Sequence, residues 1–398
     1  MSKDNADFFN EKSEWARIKD SLLSYYLKPY AAKILHTGRP LVYVDGFAGP
    51  GKFKTGEIGS PLIACDELDA ALSISNARNA SVTKVFVELQ HADLLRSNLA
   101  SRGAHVYQRS FADLPEILDG LNIGGANLFL YVDPFGIKYL DMRLFGRFVR
   151  LCSSVEVLVN FNSFGFLREA CRAYGMVLRD LPDGEELPER DPWDISVAAD
   201  AVVRLDTIMG SREWRTVINC YKDGLLDGYE AECALADSYA TGLKCSFRYV
   251  LNFPVRLKEG RRPKYRMFHA SNHPDGTILM YQSMEKGKEF LQYMQAGGQT
   301  SLFEQDIENA LVFESDIKQG MIENLGQNER PIRLNEFYAS FMTETGITLP
   351  FEDIKNILKE LERSGAVRIT RDPSLTSANR PRTFMQETLG MKAWIGVA

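Results

Sequence analysis

The sequence lacks the long apolar segments that would place the chain in or across a membrane. No uninterrupted apolar run approaches the roughly 20 residues that a membrane-spanning helix requires. The N-terminal stretch, MSKDNADFFNEKSEW, is polar and contains no apolar core of the kind found in secretory signals. We therefore expect a cytoplasmic protein without a membrane partner.

Cysteines are few and are not spaced as metal ligands. None of the six belongs to a C-x-x-C pair, which is the spacing that structural zinc sites usually show. We therefore expect no bound metal, and we expect reduced cysteines within the core. The six are Cys65, Cys152, Cys171, Cys220, Cys233 and Cys245.

The chain also lacks the basic surplus that is typical of a dedicated nucleic-acid-binding protein. It carries 47 Lys and Arg against 53 Asp and Glu, which gives a net charge of −6. One stretch nevertheless concentrates positive charge, and a local patch suffices to contact phosphates. A solvated surface loop is the alternative interpretation of this stretch. Its predicted substrate-binding members are Arg256, Lys258, Arg261, Arg262 and Lys264.

What the sequence does contain is an alternation of short apolar strands and amphipathic helices. This alternation predicts a parallel sheet with helices on both faces, as in Rossmann-like α/β folds. Continuous apolar strands such as FLYV indicate a sheet that is covered on both sides. After a helix over 12–36, strands are predicted at 41–45, 84–88, 105–108, 127–132 and 155–161, with helices at 61–75, 90–102, 114–121 and 140–151.

Two later regions depart from this alternation. Helical stretches and an acidic, proline-containing loop predict a helical insertion over about 162–245, and a hairpin of two strands over 247–271 follows it. The segment AGGQTS then predicts a domain boundary, beyond which three helices and two wing strands predict a winged-helix-like domain. The predicted domains are 1–298 and 299–398, with wing strands at 366–370 and 382–385.

A glycine-rich loop after the first strand carries the strongest functional signal. It reads DGFAGPG from Asp45 to Gly51, and its glycines let the backbone approach a ligand closely. In a Rossmann-like sheet this loop lies at the carboxyl edge of the strands, where ligands bind. Further acids stand near the ends of the next strands, and one of them, Glu88, can accept hydrogen bonds from ribose hydroxyls.

Together these features predict a site for S-adenosylmethionine (SAM), whose ammonium and sulfonium groups suit a carboxylate at the loop. Asp113 is predicted to lie near the adenine. Lys19 and Ser60 are predicted as further contacts; the alternatives are that Lys19 only packs the first helix and that Ser60 only starts the second, as its N-cap. The predicted cofactor residues are Lys19, Asp45, Phe47, Gly49, Gly51, Ser60, Glu88, Asp113 and Asp133.

A phosphate-binding loop is the competing interpretation of the same segment. Gly46–Lys52 satisfies G-x-x-x-x-G-K, and FLYVD resembles the acid-tipped strand that holds Mg²⁺ in nucleoside triphosphatases. Phe53, however, stands where a Ser or Thr should bind Mg²⁺, and Pro61 shows that the following helix starts late. Asp45 would also repel a polyphosphate. SAM is therefore the preferred ligand.

The tetrad after the fourth strand predicts the chemistry. It resembles the D-P-P-Y type tetrad of methyltransferases that act on exocyclic amines, in which an Asp and a carbonyl accept the amine N–H groups and aim the nitrogen at the methyl carbon. Phe135 can stack on a base turned out of its helix. A turn that only holds the cofactor is the alternative, because Phe135 replaces a proline and Gly136 replaces the aromatic. The predicted catalytic residues are Asp133, Pro134, Phe135 and Gly136.

The order of these motifs resembles that of the three-Cys-motif partner family. The features that carry the resemblance are DGFAGPG, GSPLIA, FVE and VDPFG, with W-x-x-x-K-x-x-x-L-x-x-Y from Trp15 to Tyr26. The resemblance covers roughly residues 12–295. It implies a class I methyltransferase fold, SAM as cofactor, a relation to adenine-N6 enzymes, and a genomically paired partner that contains the three-Cys motif.

Two functions remain open from the sequence. We predict a SAM-dependent methyltransferase that modifies an exocyclic amine of a nucleic acid, either DNA or RNA. The alternative is a non-catalytic partner subunit that keeps the methyltransferase fold and docks a radical-SAM-like protein. The altered tetrad and the acidic composition favour this alternative.

Overall fold

The chain forms two compact units, Met1–Asn272 and His273–Ala398. This boundary precedes the predicted one after residue 298, because the helix over 274–295 packs against helices of the second unit. The computed structural model describes residues 11–75, 77, 79–121, 123–178, 198–256, 263, 265–295, 314–346 and 349–398.

A seven-stranded sheet forms the centre of the described part of the first unit. Its strands are β1 (Leu41–Asp45), β2 (Val82–Val87), β3 (Ala104–Tyr107), β4 (Asn127–Val132), β5 (Ser154–Phe161), β6 (Tyr249–Val255) and β7 (Tyr265–Ser271). They lie in the order β3-β2-β1-β4-β5-β7-β6. Strands β1 to β5 are parallel, whereas β7 runs antiparallel to both of its neighbours.

This strand order, with its antiparallel β7, is that of the Rossmann-like class I methyltransferase fold that the sequence predicts. Every residue of β1 and β4 is buried, which explains why these central strands do not alternate between polar and apolar residues and are polar only at Asp45 and Asn127, at their ends. The central position of β1 places the loop that follows it at the middle of the carboxyl edge. This edge is where open α/β sheets bind ligands.

Helices cover both faces of the sheet. In the first unit they begin with α1 (Glu14–His36), α2 (Ser60–Ser73), α3 (Ala92–Asn98), α4 (Leu114–Gly120) and α5 (Met142–Leu151). The side chains of Ile18, Leu22, Tyr26 and Tyr30 of α1 are buried at helical spacing. Helix α3 is shorter than predicted. No described helix is long and apolar enough to span a bilayer.

The predicted insertion is helical, and it contains one helix that the sequence did not reveal. Its helices are α6 (Ser163–Ala173), α7 (Ala198–Met209), α8 (Trp214–Lys222) and α9 (Gly228–Lys244). The unpredicted α8 buries Trp214 completely, and the indole N–H donates to Asp206 at 3.0 Å. This short helix is amphipathic only over Trp214, Ile218 and Tyr221, so its period is difficult to recognise in the sequence.

The described part of the second unit consists of four helices and a three-stranded sheet, and its assignment as a winged-helix-like domain stays a prediction. Its elements are α10 (Pro274–Gln295), α11 (Glu314–Gly326), β8 (Ile332–Arg333), α12 (Leu334–Thr345), α13 (Phe351–Ser364), β9 (Val367–Asp372) and β10 (Lys392–Val397). The sheet order is β8-β10-β9. The strand predicted at 382–385 is wrong, because Arg382 donates its backbone N–H to Ser374 and closes a local turn; β10 pairs with β9 instead.

Candidate cofactor and acceptor site

Hydrogen bonds fix the glycine-rich loop across the carboxyl edge of the sheet. Gly46 N donates to Tyr131 O of β4 at 2.9 Å, and Ala48 N donates to Val87 O of β2 at 3.1 Å. Gly59 N donates to Gly51 O at 2.9 Å, which brings the start of α2 back onto the loop. The loop is therefore anchored to both strands that flank β1.

The loop glycines are required for two different reasons. Gly49 and Gly51 have φ angles of +63° and +82°, a left-handed conformation that side chains rarely adopt. Gly46 is needed for space, since a Cβ there would lie 2.7 Å from Cδ2 of Phe111. The loop could not keep this path with larger residues at these positions.

Asp45 is a buried carboxylate that faces only neutral donors. Its Oδ1 accepts from Phe47 N at 3.1 Å, and its Oδ2 accepts from the Ser60 hydroxyl at 2.9 Å. Burial raises the pKa of Asp45 to about 7, although these two hydrogen bonds act to lower it. Among the described residues, no basic side chain forms an ion pair with it. Such a carboxylate favours a cationic ligand group, because the cation would replace the lost hydration.

Ser60 therefore has a role different from the predicted N-cap. It is the first residue of α2, and Gly59 occupies the cap position without a side-chain hydrogen bond. The Ser60 hydroxyl is instead directed to Asp45. The N-cap prediction is wrong because a buried acceptor competes for the hydroxyl.

Asp133 is the point where four elements of the first unit meet. Its Oδ2 lies 2.5 Å from Lys19 Nζ of α1 and accepts from the Tyr131 hydroxyl at 3.4 Å. Its Oδ1 accepts from Asn160 Nδ2 of β5 at 2.6 Å. Lys19 Nζ also lies 5.3 Å from the ring centroid of Tyr265 on β7. The predicted Lys19 and Asp133 are thus in direct contact.

Aromatic side chains surround this edge of the sheet. The Phe47 ring centroid lies 5.0 Å from that of Phe111 and 6.0 Å from that of Tyr139. Phe135 is 44% exposed, whereas Pro134 before it is buried. Gly136 has a φ of +76°, so the chain turns sharply after Phe135. The tetrad thus presents one exposed aromatic ring beside Asp133.

Glu88 lies beside the loop as predicted, and its oxygens already accept backbone hydrogen bonds. Oε2 accepts from Gly49 N at 2.9 Å, and Oε1 accepts from Gln90 N and His91 N at 2.7 and 2.8 Å. The contacts to Gln90 and His91 also explain why α3 starts only at Ala92, two residues later than predicted. A carboxylate has about four acceptor positions, so Glu88 retains capacity for a further donor.

Asp113 has a local structural partner. It ends a 3-10 helix, Phe111–Asp113, and its Oδ2 accepts from Ser110 N at 3.2 Å in a capping box. The described hydrogen bonds of its carboxylate do not connect it with Asp45, Glu88 or Asp133. Its predicted contact with adenine therefore stays a prediction.

Lys12 and Asp20 form part of this region, and the sequence did not single them out. Lys12 Nζ lies 2.7 Å from Asp20 Oδ2 and donates to Ile58 O at 2.9 Å. Burial raises the pKa of Asp20 to about 6, against the lowering effect of Lys12. These contacts tie the start of α1 to the segment before α2. The available signal was an acid within the apolar stripe of the first helix.

The geometry departs from that of a phosphate-binding loop. In such loops a helix begins directly on the glycine segment and points its N–H groups at the phosphates. Here Lys52 is exposed and forms an isolated bridge with Ile58, and α2 begins only at Ser60. The described loop therefore does not support the nucleoside triphosphatase alternative.

The predicted basic hairpin is described only in part. Strands β6 and β7 pair antiparallel as predicted, and Arg256 follows β6 directly. The other predicted members lie outside the described residues. They are Lys258, Arg261, Lys264 and Arg262.

The cysteines and acids of the described residues form no group of three or more that could hold a metal ion. All six cysteines are free thiols. The prediction that they lie within the core is confirmed for Cys65 and Cys171, whereas Cys152 and Cys220 are only half-buried. It is wrong for Cys233 and Cys245, which are exposed because they occupy the outer side and the C-cap of α9.

Comparisons with known proteins give weak likenesses. No protein-family model and no curated protein matches the sequence. The plantazolicin methyltransferase BamL, solved with a triazolic desmethylPZN analog and SAH, aligns at 12% identity over 69% of this chain and 92% of its own, with a TM-score of 0.33. The plantazolicin methyltransferase BpumL aligns at 7% identity over 67% and 89%, with a TM-score of 0.30.

A third solved structure is a cyclopropane-fatty-acyl-phospholipid synthase-like protein from Lactobacillus casei ATCC 334. It aligns at 11% identity over 68% of this chain and 99% of its own, with a TM-score of 0.27. All three TM-scores lie below 0.5, so these likenesses do not indicate a function. The resemblance to the three-Cys-motif partner family accordingly rests on the sequence motifs alone.

Proposed function

We propose that this protein is a SAM-dependent methyltransferase. The observation that carries the proposal is Asp45, a fully buried carboxylate at the carboxyl end of the central strand that forms no ion pair with any basic side chain of the described residues. SAM supplies an ammonium and a sulfonium group, and either compensates a carboxylate that burial otherwise disfavours. The glycine loop beside Asp45 lets the protein backbone approach the ligand closely.

The neighbouring residues support an adenosyl ligand on the same edge. Glu88 stands at the end of β2 and retains acceptor capacity for a ribose hydroxyl. Phe47 packs against Phe111 and Tyr139, which together offer an apolar surface beside the loop. Gly49 connects the glycine loop with Glu88, because its backbone N–H donates to the Glu88 carboxylate.

We further propose that the methyl acceptor is an exocyclic amine of a nucleic acid. The support is the placement of Asp133, which Lys19 and Asn160 hold from two sides, next to the exposed ring of Phe135. A fixed carboxylate can accept an amine N–H and position the nitrogen for in-line attack, while an exposed aromatic ring can stack on a base. Arg256 and the basic residues that follow it would contact the phosphates.

The cofactor proposal is tested by calorimetric titration with SAM, with ATP–Mg²⁺ as a second ligand. We expect micromolar SAM binding and no response to ATP. Asp45→Asn should weaken SAM binding by about 10- to 100-fold, since a charge-assisted contact contributes roughly 1.5–3 kcal/mol. Asp93→Asn, which changes an exposed carboxylate of α3, is the matched control and should bind like the parent. Equal SAM affinity of Asp45→Asn and the parent would sink the site assignment.

The acceptor proposal is tested by transfer of a tritiated methyl group from SAM to pools of DNA and RNA. We expect incorporation with the parent and its loss with Asp133→Asn, which keeps the size of the side chain but removes its charge. SAM affinity, measured on the same preparation, separates a lost acceptor contact from a lost cofactor. Transfer that persists at the parent rate in Asp133→Asn would exclude the predicted role.

A non-catalytic partner subunit is the second candidate, and one observation favours it. Both oxygens of Asp133 already accept hydrogen bonds, from Lys19, Asn160 and Tyr131, so at most about one of the four acceptor positions of this carboxylate is left for an amine. A parent protein that binds SAM, transfers no methyl group, and retains a bound three-Cys-motif protein after Asp133→Asn would support this second function.

A further inference from the structure

Charge is distributed very unevenly along the second unit. Residues 273–362 carry seven basic against sixteen acidic side chains, whereas residues 363–398 carry six basic against two acidic. The basic part comprises the end of α13, strands β9 and β10, and the wing between them. Residues 363–398 therefore attract a polyanion, whereas residues 273–362 repel it.

Helix α13 is poorly suited to contact nucleic acid, although the equivalent helix reads base edges in many winged-helix proteins. Its first turn exposes Glu352 and Asp353, and recognition helices make base contacts from their N-terminal residues. Lys355 is within salt-bridge distance of Glu352. Three basic residues of α13 stand against four acidic ones.

The charged side chains of strands β9 and β10 and of the wing between them are mostly basic, in contrast to those of α13. Arg371 and Arg382 are used internally: Arg371 pairs with Glu362 at 2.7 Å, and Arg382 donates to Leu375 O at 2.9 Å. These contacts shape the segment between β9 and β10. The remaining basic side chains, Arg368, Arg380 and Lys392, are exposed and form no ion pair with any described residue. We name these three residues the wing face.

The register of the strands places two members of the wing face, Arg368 and Lys392, on one surface. Arg368 pairs with Gly396, and Asp372 pairs with Lys392, so Arg368 and Lys392 lie on the same face of the sheet. The pair Arg368–Gly396 lies four residues along the strand from the pair Asp372–Lys392, a distance of about 13 Å at ~3.3 Å per residue. One strand of duplex DNA carries a phosphate every ~3.4 Å of axis. The two side chains therefore span about four phosphates.

We propose that the wing face, rather than α13, binds the sugar-phosphate backbone of a nucleic acid. The proposal deepens the function proposed above and rests on its nucleic-acid acceptor. A backbone contact of this kind adds affinity and orientation without reading sequence. The second unit would thus hold the polymer, and base selection would be left to the first unit.

The test compares two variants of the full-length chain that remove basic residues from different surfaces. The wing variant is Arg368→Gln/Arg380→Gln/Lys392→Gln, and the matched control is Lys359→Gln/Arg363→Gln on α13. Binding of a labelled 20-base-pair DNA duplex and the corresponding RNA duplex is measured by fluorescence anisotropy at several salt concentrations. Thermal melts confirm that the exposed substitutions leave the fold intact.

We expect the wing variant to bind at least tenfold more weakly. Its salt-dependence slope should fall by about 2–3, at roughly 0.9 per lost phosphate contact. The α13 variant should stay within about twofold of the parent. A wing variant that binds like the parent, a larger loss in the α13 variant, or no binding by the parent would each overturn the proposal. Equal displacement of the duplex by polyglutamate at matched charge would also overturn it, because an acidic protein would then fit as well.

The same preparations distinguish this inference from the proposed function. A parent that binds nucleic acid through the wing face but does not bind SAM would sink the methyltransferase proposal alone. A parent that methylates the duplex while the wing variant retains full affinity would sink the present inference alone. SAM affinity should be equal in the parent and in both variants.

Discussion

Two buried acids of the first unit, Glu232 and Asp45, differ in what compensates their charge. Glu232 of α9 accepts from Nε and Nη2 of Arg266 at 2.6 and 2.7 Å and also accepts from the Ser163 hydroxyl. Asp45 is equally buried but accepts only from a backbone N–H and a hydroxyl. The Glu232 cluster is complete within the chain, so it stabilises the attachment of the insertion to β7. Asp45 lacks such a basic partner among the described residues, and in our proposal a ligand supplies it.

The difference is the criterion by which we propose Asp45, and not Glu232, as a ligand-binding acid. Burial alone does not separate them, because both side chains are almost fully inaccessible. The separation comes from the charge of the partners, and it is reflected in the pKa of Asp45, which burial raises to about 7. Removal of one partner of a buried ion pair strongly destabilises the fold. A buried acid without a partner itself lowers the stability of the fold while it is ionised.

Removal of the structural acid should have the largest effect on stability. Glu232→Ala leaves the buried guanidinium of Arg266 without its partner and should lower the free energy of unfolding by about 3–5 kcal/mol. Urea denaturation measures this loss. Asp237→Ala, at an exposed position of the same helix, is the control and should change little. A loss below 1 kcal/mol in Glu232→Ala would show that the ion pair does not hold α9.

Neutralisation of Asp45 should raise the free energy of unfolding rather than lower it. The folded protein keeps the Asp45 proton up to about pH 7, whereas the unfolded chain releases it near 3.8. The free energy of unfolding should therefore fall as the pH rises from about 4 to 7 and then level off. Asp45→Asn removes this fall and should be more stable than the parent at pH 8, by roughly 2–4 kcal/mol.

Denaturation curves at pH 5 and pH 8 test this second prediction. The stabilisation by Asp45→Asn should shrink toward the lower pH, because the parent carboxyl is then protonated in the folded state. A destabilised Asp45→Asn at pH 8 would mean that its two hydrogen bonds outweigh the cost of the buried charge.

The affinity for SAM should depend on pH if Asp45 holds a cationic group. Only the ionised carboxylate attracts the cation, and bound SAM lowers the pKa of Asp45, so binding releases a proton. As the pH rises toward 7, the dissociation constant should fall about tenfold per pH unit. Above pH 7 it should level off. Calorimetry in buffers of different ionisation enthalpy measures the proton release.

Asp45→Asn is the control for this pH dependence. The α-amino group of the ligand also titrates, at roughly pH 8 in model compounds. That contribution remains in the variant, whereas the contribution of Asp45 disappears. An identical slope in the parent and in Asp45→Asn would place the titrating group on the ligand alone.

The smallest effect is expected from the hydroxyl of Ser60. Its hydrogen bond lowers the pKa of Asp45, so Ser60→Ala should raise this pKa further. The midpoint of the SAM pH profile should move up by about half to one unit, since such a hydrogen bond contributes roughly 0.5–1.5 kcal/mol. Ser73→Ala, at the other end of α2, should leave the midpoint unchanged.

The sequence predicts the local pieces of this fold well where the pattern is long and apolar. Strand β4 coincides with its predicted range because all six of its residues are buried and none is polar enough to interrupt it, apart from Asn127 at its start. Helix α8 and strand β10 were missed. The first is too short for a clear period, and the second could be placed only by its pairing with β9.

The candidate site was predicted in part. Asp45 is the last residue of β1, and Glu88 and Asp133 directly follow β2 and β4. Parallel strands bring these carboxyl ends to one edge of the sheet. The contact between Lys19 and Asp133 joins residues 114 positions apart, and no local pattern encodes it. The same applies to the pairing of Lys12 with Asp20 over the segment that ends at Ile58.

By itself the sequence determined the alternation of strands and helices, the glycine loop and the acids at the strand ends, because each depends on neighbouring residues along the chain. Only the tertiary structure decided which acids are compensated. Glu232 meets Arg266, and Asp45 meets no basic side chain among the described residues. Whether a buried charge has a partner depends on which distant elements pack together, and packing is settled by the whole core rather than by any segment.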